Sequence, residues 1–269
     1  MDTAKLFCVK PGSAVNLKRW DPWDTGGFAS KEASGEELAA NVQELAHLQA
    51  GLYGEGKRAV LLILQGMDAS GKDGTIRHVL TGLNPMGVRV SSFKKPTAAE
   101  LAQDYLWRIH ACCPARGMIG VFNRSHYEDV LVVRINNLVP RQEWEKRYEQ
   151  INDFERMLVE NGTVIIKCFL HVSKEEQKKR LEERLRDPEK SWKFEPSDLE
   201  VRKQWDEYQQ AYEVALSRCS THHAPWHVIP ADNKWFRNLV VSELLVQTMR
   251  AMKCKTRQVQ PEVLKMKVV

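Results

Sequence analysis

Apolar and polar positions along the chain alternate between two periods. Residues 59–64 (AVLLIL) are an uninterrupted apolar run, the pattern of a strand buried on both faces of a parallel sheet. Similar segments recur at 88–93, 118–122, 164–170 and 226–229, each predicted as a strand. Helical stretches separate them. Ser34 with Glu37 reads as a capping box opening a helix to about Tyr53, ended by Gly54 and Gly56. Further helices are expected over 72–83, over 97–111 (Thr97 and Glu100 capping), and over 142–160. Ser173 with Glu176 opens one to about Arg186, Ser197 with Glu200 opens one to about Arg218, and the last covers 234–253. Strands alternating with helices argue for right-handed βαβ units and a parallel sheet covered on both sides. The expectation is one three-layer α/β/α domain over 1–269, with 1–35, rich in Gly, Pro, Asp and Ser, as an irregular arm.

One motif changes this picture from architecture to chemistry. Gly66-Met67-Asp68-Ala69-Ser70-Gly71-Lys72-Asp73-Gly74-Thr75 follows the most apolar strand and opens a helix. Glycines there let backbone N–H groups converge on phosphate oxygens, the helix N-terminus adds partial positive charge, and Lys72 reaches the transferring phosphates. Asp73 stands where the usual loop carries a Ser or Thr, and Thr75 comes two positions later. Carboxylates in an anion-binding loop conflict with their ligand unless a divalent cation joins them, so Asp68 and Asp73 point to a metal. Asp68 is the better candidate for ligand or positioning acceptor; Asp73 also suits a helix-dipole partner.

The strand at 118–122 ends in Asn123-Arg124-Ser125-His126-Tyr127-Glu128-Asp129, which should face the loop across the carboxyl edge of the sheet. Arg124 suits charge stabilisation on a phosphoryl group, and Glu128 or Asp129 suits a metal held through water. His126 reads as structural, as does the group Cys219, His222, His223 and His227. Residues 178–193 carry seven basic side chains against four acidic ones, interrupted at Asp187-Pro188. After a phosphate loop such a run reads as a mobile basic lid (173–196) rather than a solvated helix face.

Composition narrows the setting. Forty Lys and Arg against 35 Asp and Glu leave a net charge of +5, which permits a polyanionic partner without demanding one. Six cysteines without framework spacing, and no apolar stretch of membrane length, lead to the expectation of a reduced, cytoplasmic protein engaging neither membrane nor nucleic acid.

The loop, the strand-end segment and Arg184-Leu185-Arg186-Asp187-Pro188-Glu189-Lys190-Ser191-Trp192-Lys193 together resemble the Walker A, Walker B and lid motifs of polyphosphate kinase type 2. Asp21-Pro22 with Thr25-Gly26-Gly27-Phe28, and Lys94-Lys95-Pro96-Thr97, resemble further segments of that family. The resemblance implies a thymidylate-kinase-like P-loop sandwich, Mg²⁺ (or Mn²⁺) as cofactor, and homodimers or homotetramers. It implies transfer between inorganic polyphosphate and adenine or guanine nucleotides. Asp68, Lys72, Arg124 and Glu128 would be catalytic. Gly66, Ala69, Ser70, Gly71, Lys72, Asp73, Gly74 and Thr75 would bind phosphate, with Arg184, Arg186, Lys190 and Lys193 from the lid. Asn123, Arg124, Lys94 and Lys95 would serve the nucleotide, and Asp68 with Asp129 the metal. Asn123 where many members have Asp resembles the subgroup using both nucleoside mono- and diphosphates. The competing reading, an ATP-dependent nucleoside monophosphate kinase, fits the sheet but calls for a loop ending GK[ST]. A non-catalytic binding module has no need of loop acids, Arg124 and a basic lid together.

Overall fold

The computed structural model describes residues 3–28, 30–255 and 263. Five parallel strands form one sheet in the order β2-β3-β1-β4-β5: β1 (Ala59–Gln65), β2 (Val88–Ser92), β3 (Ile119–Asn123), β4 (Thr163–His171) and β5 (Trp226–Pro230). Every β1 residue is buried, as its unbroken apolar run requires. The longer helices are α1 (Lys31–Glu55), α2 (Lys72–Val79), α3 (Arg141–Glu160), α4 (Lys174–Arg186), α5 (Trp205–Cys219) and α6 (Lys234–Met252). α6 packs on α1 and α2, while α3 packs on α5 and β4, so helices cover both faces of the sheet. The chain leaves β1 through α2 and β3 through α3, on opposite faces. A crevice therefore opens beyond the carboxyl ends of these adjacent strands.

Several expected boundaries shift for local reasons. α1 begins at Lys31, one turn early, and Ser34 lies inside it with its hydroxyl donating back to the Lys31 carbonyl, so no capping box forms there. Thr97 and Glu100 do form theirs, but the helix stops at Leu101, and the Asp104 carboxylate takes the Leu106 N–H in a turn before Trp107–His110. Ser197 does not cap. Pro196 already holds helical angles, and Ser197–Lys203 is a short helix separated from α5 at Gln204. The arm is more ordered than its composition suggests: Val9 N donates to Trp226 O at 2.8 Å and Val228 N to Phe7 O at 2.9 Å, an antiparallel strip along β5. No described helix is long and apolar enough to cross a membrane.

Candidate active site

The loop after β1 turns back on itself through three left-handed residues, Gly66 (φ 152°), Ala69 (φ 61°) and Gly71 (φ 103°). A Cβ on Gly66 would lie 2.8 Å from both the Leu170 carbonyl and Ser70 Oγ, so only glycine fits between loop and β4. Ala69 has no such licence, and its angle costs about 1–2 kcal/mol. What holds it is a set of struts behind the loop. Gln177 Nε2 donates to Asp68 O at 3.0 Å, Arg180 Nη1 donates to Ala69 O and Ser70 O at 3.1 Å each, and Arg237 Nη1 donates to Ser70 O at 3.1 Å. In a trans peptide the carbonyl and the next N–H point oppositely, so these bonds turn the Ala69 and Gly71 N–H groups away from the struts.

Lys72, on the first turn of α2, is buried and folds back onto its own loop. Its ammonium donates to Gly66 O at 2.8 Å, Met67 O at 3.1 Å and Ser70 Oγ at 3.5 Å. Burial, and then the charge of Arg124, push its pKa down to about 8. Ser70 and Thr75 are fully buried, and Thr75 Oγ1 donates to Gly71 O, so both support the loop from inside.

β3 delivers the second group. Arg124 itself is left-handed (φ 63°), and its N–H donates to Leu64 O of β1 at 3.1 Å. Its guanidinium bridges two carboxylates, pairing with Asp68 of the loop and with Glu128 at 3.3 Å. Glu128, and after it Asp68, raise the Arg124 pKa against the effect of burial. Gln65 Nε2, from the end of β1, donates to Glu128 at 3.2 Å. On the opposite wall, burial and then Glu128 push the Tyr208 phenol up to about 12 and Tyr212 well above its ordinary value, so both stay neutral. The site thus brings together Asp68, Lys72, Arg124 and Glu128.

Asp73 sits at the rim. It accepts from Asn123 Nδ2 at 2.8 Å and from Lys193 Nζ at 2.9 Å. Burial opposes its ionisation, but these two donors outweigh it and keep the carboxyl below its ordinary range.

Other expected residues fall elsewhere. Asp129 is not beside Asp68: it is buried against Arg147, whose Nη1 reaches its carboxylate at 3.2 Å. Burial pushes this carboxyl up to about 6 despite Arg147 and Arg108, an environment unlike that of a cation ligand. The reason lies in the tight 3₁₀ turn His126–Asp129, in which Glu128 faces the site while His126, Tyr127 and Asp129 are buried. In the lid, Arg184 pairs with Asp198 at 3.2 Å, Lys190 pairs with Asp187, and Arg186 is exposed; of the four, Lys193 reaches the loop. The start of the segment expected as a lid (173–196) is tied down in this structure. Gln177 and Arg180 pin the first half of α4 to the loop, and Arg180 Nη2 further donates to Ala231 O and Asp232 O at 2.6 and 2.9 Å. Lys94 and Lys95 are exposed just after β2, two strands from the loop.

A buried network backs the Arg124 segment. Lys167 Nζ donates to Glu155 at 2.5 Å, Tyr127 Oη at 2.8 Å and Cys219 O at 2.7 Å, while Glu155 Oε1 accepts from Tyr127 at 2.9 Å and contacts His126 Nε2 at 3.2 Å. Burial opposes the Glu155 charge, yet Lys167 and His126 hold its pKa low. His126 is therefore structural, as expected. Among the described residues no group of three or more His, Cys, Asp or Glu is assembled to hold a metal. Asp68 and Glu128 nevertheless converge on a cation and offer the hard oxygen donors that suit Mg²⁺, which is often held by one or two carboxylates plus substrate phosphates.

The chain is 54% identical over 266 residues to the AMP/ADP-polyphosphate phosphotransferase of Meiothermus ruber, covering 98% of this chain and 99% of that one. It is 46% identical to an ADP-polyphosphate phosphotransferase of Rhodopseudomonas palustris (96% and 93% covered). The crystal structure of polyphosphate kinase 2 from Arthrobacter aurescens TC1 superposes with a TM-score of 0.92 at 43% identity, covering 97% of this chain and 93% of that one. Residues 28–257 match the family model Polyphosphate kinase 2. With a parallel P-loop sheet, a left-handed arginine after β3 and a basic lid residue at the loop, this chain belongs to the polyphosphate kinase 2 family.

Proposed function

We propose that the chain transfers phosphoryl groups between inorganic polyphosphate and nucleotides, accepting both AMP and ADP. The observation that carries this is the convergence on one loop of three cations from three elements: Lys72 from α2, Arg124 from β3 and Lys193 from the lid. Dual acceptance is supported by the name of the Meiothermus ruber relative and by Asn123 at the strand end. An ATP-dependent monophosphate kinase is the weaker reading, because Asp73 fills the Ser/Thr place and is engaged by Asn123 and Lys193.

In this reading the loop N–H groups and Lys72 hold the transferring phosphates, Lys72 exchanging its carbonyl contacts for phosphate oxygens. Arg124 meets the charge that develops on the phosphoryl group. Mg²⁺, or Mn²⁺ in its place, would be held by Asp68 and Glu128 and supplies neutralisation of the phosphate oxygens. Lys193, released from Asp73, closes over the polyanion and excludes water. Homodimers or homotetramers belong to the same proposal and are read by light scattering.

The test is incubation with polyphosphate, Mg²⁺ and either AMP or ADP (then GMP or GDP) without any ATP. Formation of ADP from AMP and ATP from ADP is expected. ATP made from ADP with AMP left untouched removes dual acceptance, and inertness toward both removes the phosphotransfer reading.

A further inference from the structure

Arg237 lies on the first turn of α6, a helix whose length otherwise packs against the rest of the core. Its side chain is 3% exposed. Nε and Nη2 donate to the side-chain oxygen Oδ1 of Asn238 at 3.2 and 2.9 Å, and Nη1 donates to Ser70 O at 3.1 Å. The guanidinium is pressed against the phosphate loop itself. A Cβ on Gly71 would lie 1.9 Å from Nη1, and one on Gly74 would lie 3.3 Å from Nη2. Gly71 thus serves both a left-handed turn and the approach of a cation.

No carboxylate among the described residues pairs with this charge. Its charged neighbour is another cation, Arg180, which differs in one decisive respect: Glu176 meets it at 2.9 Å. Burying an unpaired guanidinium is costly, and breaking even a paired buried charge leaves a penalty of several kcal/mol. Burial, helped by Arg180, pushes the Arg237 pKa down to about 9, as that cost requires. Simple fold stabilisation does not account for a charge at this position, since an uncharged donor would serve Ser70 O and Asn238 Oδ1 without the cost of burying it. The surface it abuts does account for it. The other side of the same loop is where the phosphates of the proposed reaction would lie, and they bring the negative charge that Arg237 lacks.

We infer that Arg237 is a positioning residue for phosphate, a buried cation whose counter-charge is the polyphosphate or nucleotide phosphate held on the far side of the loop. It acts through the backbone. Its hydrogen bond draws the Ser70 carbonyl backward and so directs the Gly71 N–H to the ligand side, while its charge adds to that of the α2 N-terminus. The inference rests on the loop being the phosphate site.

The experiment compares wild type, Arg237→Met, Arg237→Lys and Lys72→Ala by thermal melting, with and without inorganic triphosphate, and by calorimetric titration of triphosphate. Arg237→Met is expected to melt at or above the wild-type temperature when free. It should bind triphosphate about tenfold more weakly or worse, the order of a lost charge-assisted contact. Arg237→Lys should keep most of the affinity, because the charge remains. A purely structural arginine gives the reverse: a lower melting temperature, or failure of Arg237→Met to fold, with the affinity of folded Arg237→Lys unrelated to charge. Wild-type affinity in Arg237→Met overturns the inference while the loop reading stands, provided Lys72→Ala loses binding. Absence of triphosphate binding by wild type overturns both.

Discussion

Replacing Lys72 tests the site at its centre, and the structure sets both sign and size of the effect. The ammonium is buried, hydrogen-bonded to two carbonyls and a hydroxyl, and no carboxylate among the described residues pairs with it. Lys72→Ala should therefore change the melting temperature little, because it removes a desolvated charge without orphaning a charged partner, which offsets the loss of its hydrogen bonds. Turnover should fall about 10²–10³-fold, the loss seen when one preorganised contact to developing charge is removed. The pH dependence follows from the same burial. The folded pKa of about 8 lies below the ordinary lysine value of 10.5, so between these limits the ligand-free protein binds fewer protons than its unfolded chain. Stability of the ligand-free protein accordingly rises with pH across that window. An anion at the loop favours the charged amine, so binding takes up a proton above about pH 8 and weakens by up to about tenfold per pH unit. Triphosphate titrations at pH 9, in buffers of different ionisation enthalpy, count that proton. Lys72→Arg, charged throughout, should lower the uptake to the share left to Arg237, whose pKa lies at about 9. Turnover of Lys72→Ala within about threefold of wild type would refute the loop assignment. Wild-type binding without proton uptake at pH 9 would refute the linkage.

Three further outcomes are expected. Arg124→Gln should collapse turnover yet raise the affinity of substrate-free protein for Mn²⁺ about tenfold, since Asp68 and Glu128 no longer share a guanidinium; weaker Mn²⁺ binding by electron paramagnetic resonance contradicts this. Lys167→Met should cost about 3–5 kcal/mol in urea unfolding because it strands Glu155, and combining it with Glu155→Gln should cost less than the sum; a loss below ~1 kcal/mol removes the network as a support. Asn123→Asp with Glu128→Ala puts a second carboxylate against Asp73 and removes one from Arg124, so the ratio of AMP to ADP phosphorylation should change more than their sum; an unchanged ratio separates these positions from acceptor choice.

The sheet was legible because a strand buried on both faces has nowhere to place a polar side chain. The AVLLIL run therefore marked β1, and the turn after it marked the loop. Lys167 offered a similar clue in reverse: a lysine inside the apolar run of β4 demands a buried acid, but nothing local said that the acid would be Glu155 on α3. The struts left still weaker traces. Arg180 lay inside a charged run that reads as lid, and Gln177 and Arg237 lay in ordinary helical sequence. Their role depends on which carbonyls the fold brings against them, and backbone carbonyls carry no sequence signature. Asp129 misled for a related reason. Its neighbour Glu128 has the same charge and faces the site, and only the roughly 120° between successive residues of a 3₁₀ turn separates them.

The ligand-free arrangement has a common logic. Each of the three cations that converge on the loop is held by an internal acceptor: Lys72 by loop carbonyls, Arg124 by Asp68 and Glu128, Lys193 by Asp73. These contacts keep the side chains near their working positions, so less ordering remains to be done when a substrate arrives. They also compete with it, because every phosphate contact must replace one already made. Where the internal acceptor is a carboxylate, a divalent cation resolves the competition by taking over the acid that the arginine or lysine leaves. Lys72 has no acid to surrender, and its release depends on proton uptake instead. Metal and pH should therefore act on different members of one site: metal on Asp68 and Glu128 through Arg124, pH on the loop through Lys72. Triphosphate binding whose fall above pH 8 keeps its midpoint with and without Mg²⁺ in wild type, and is weakened in Lys72→Arg, is the signature of that division.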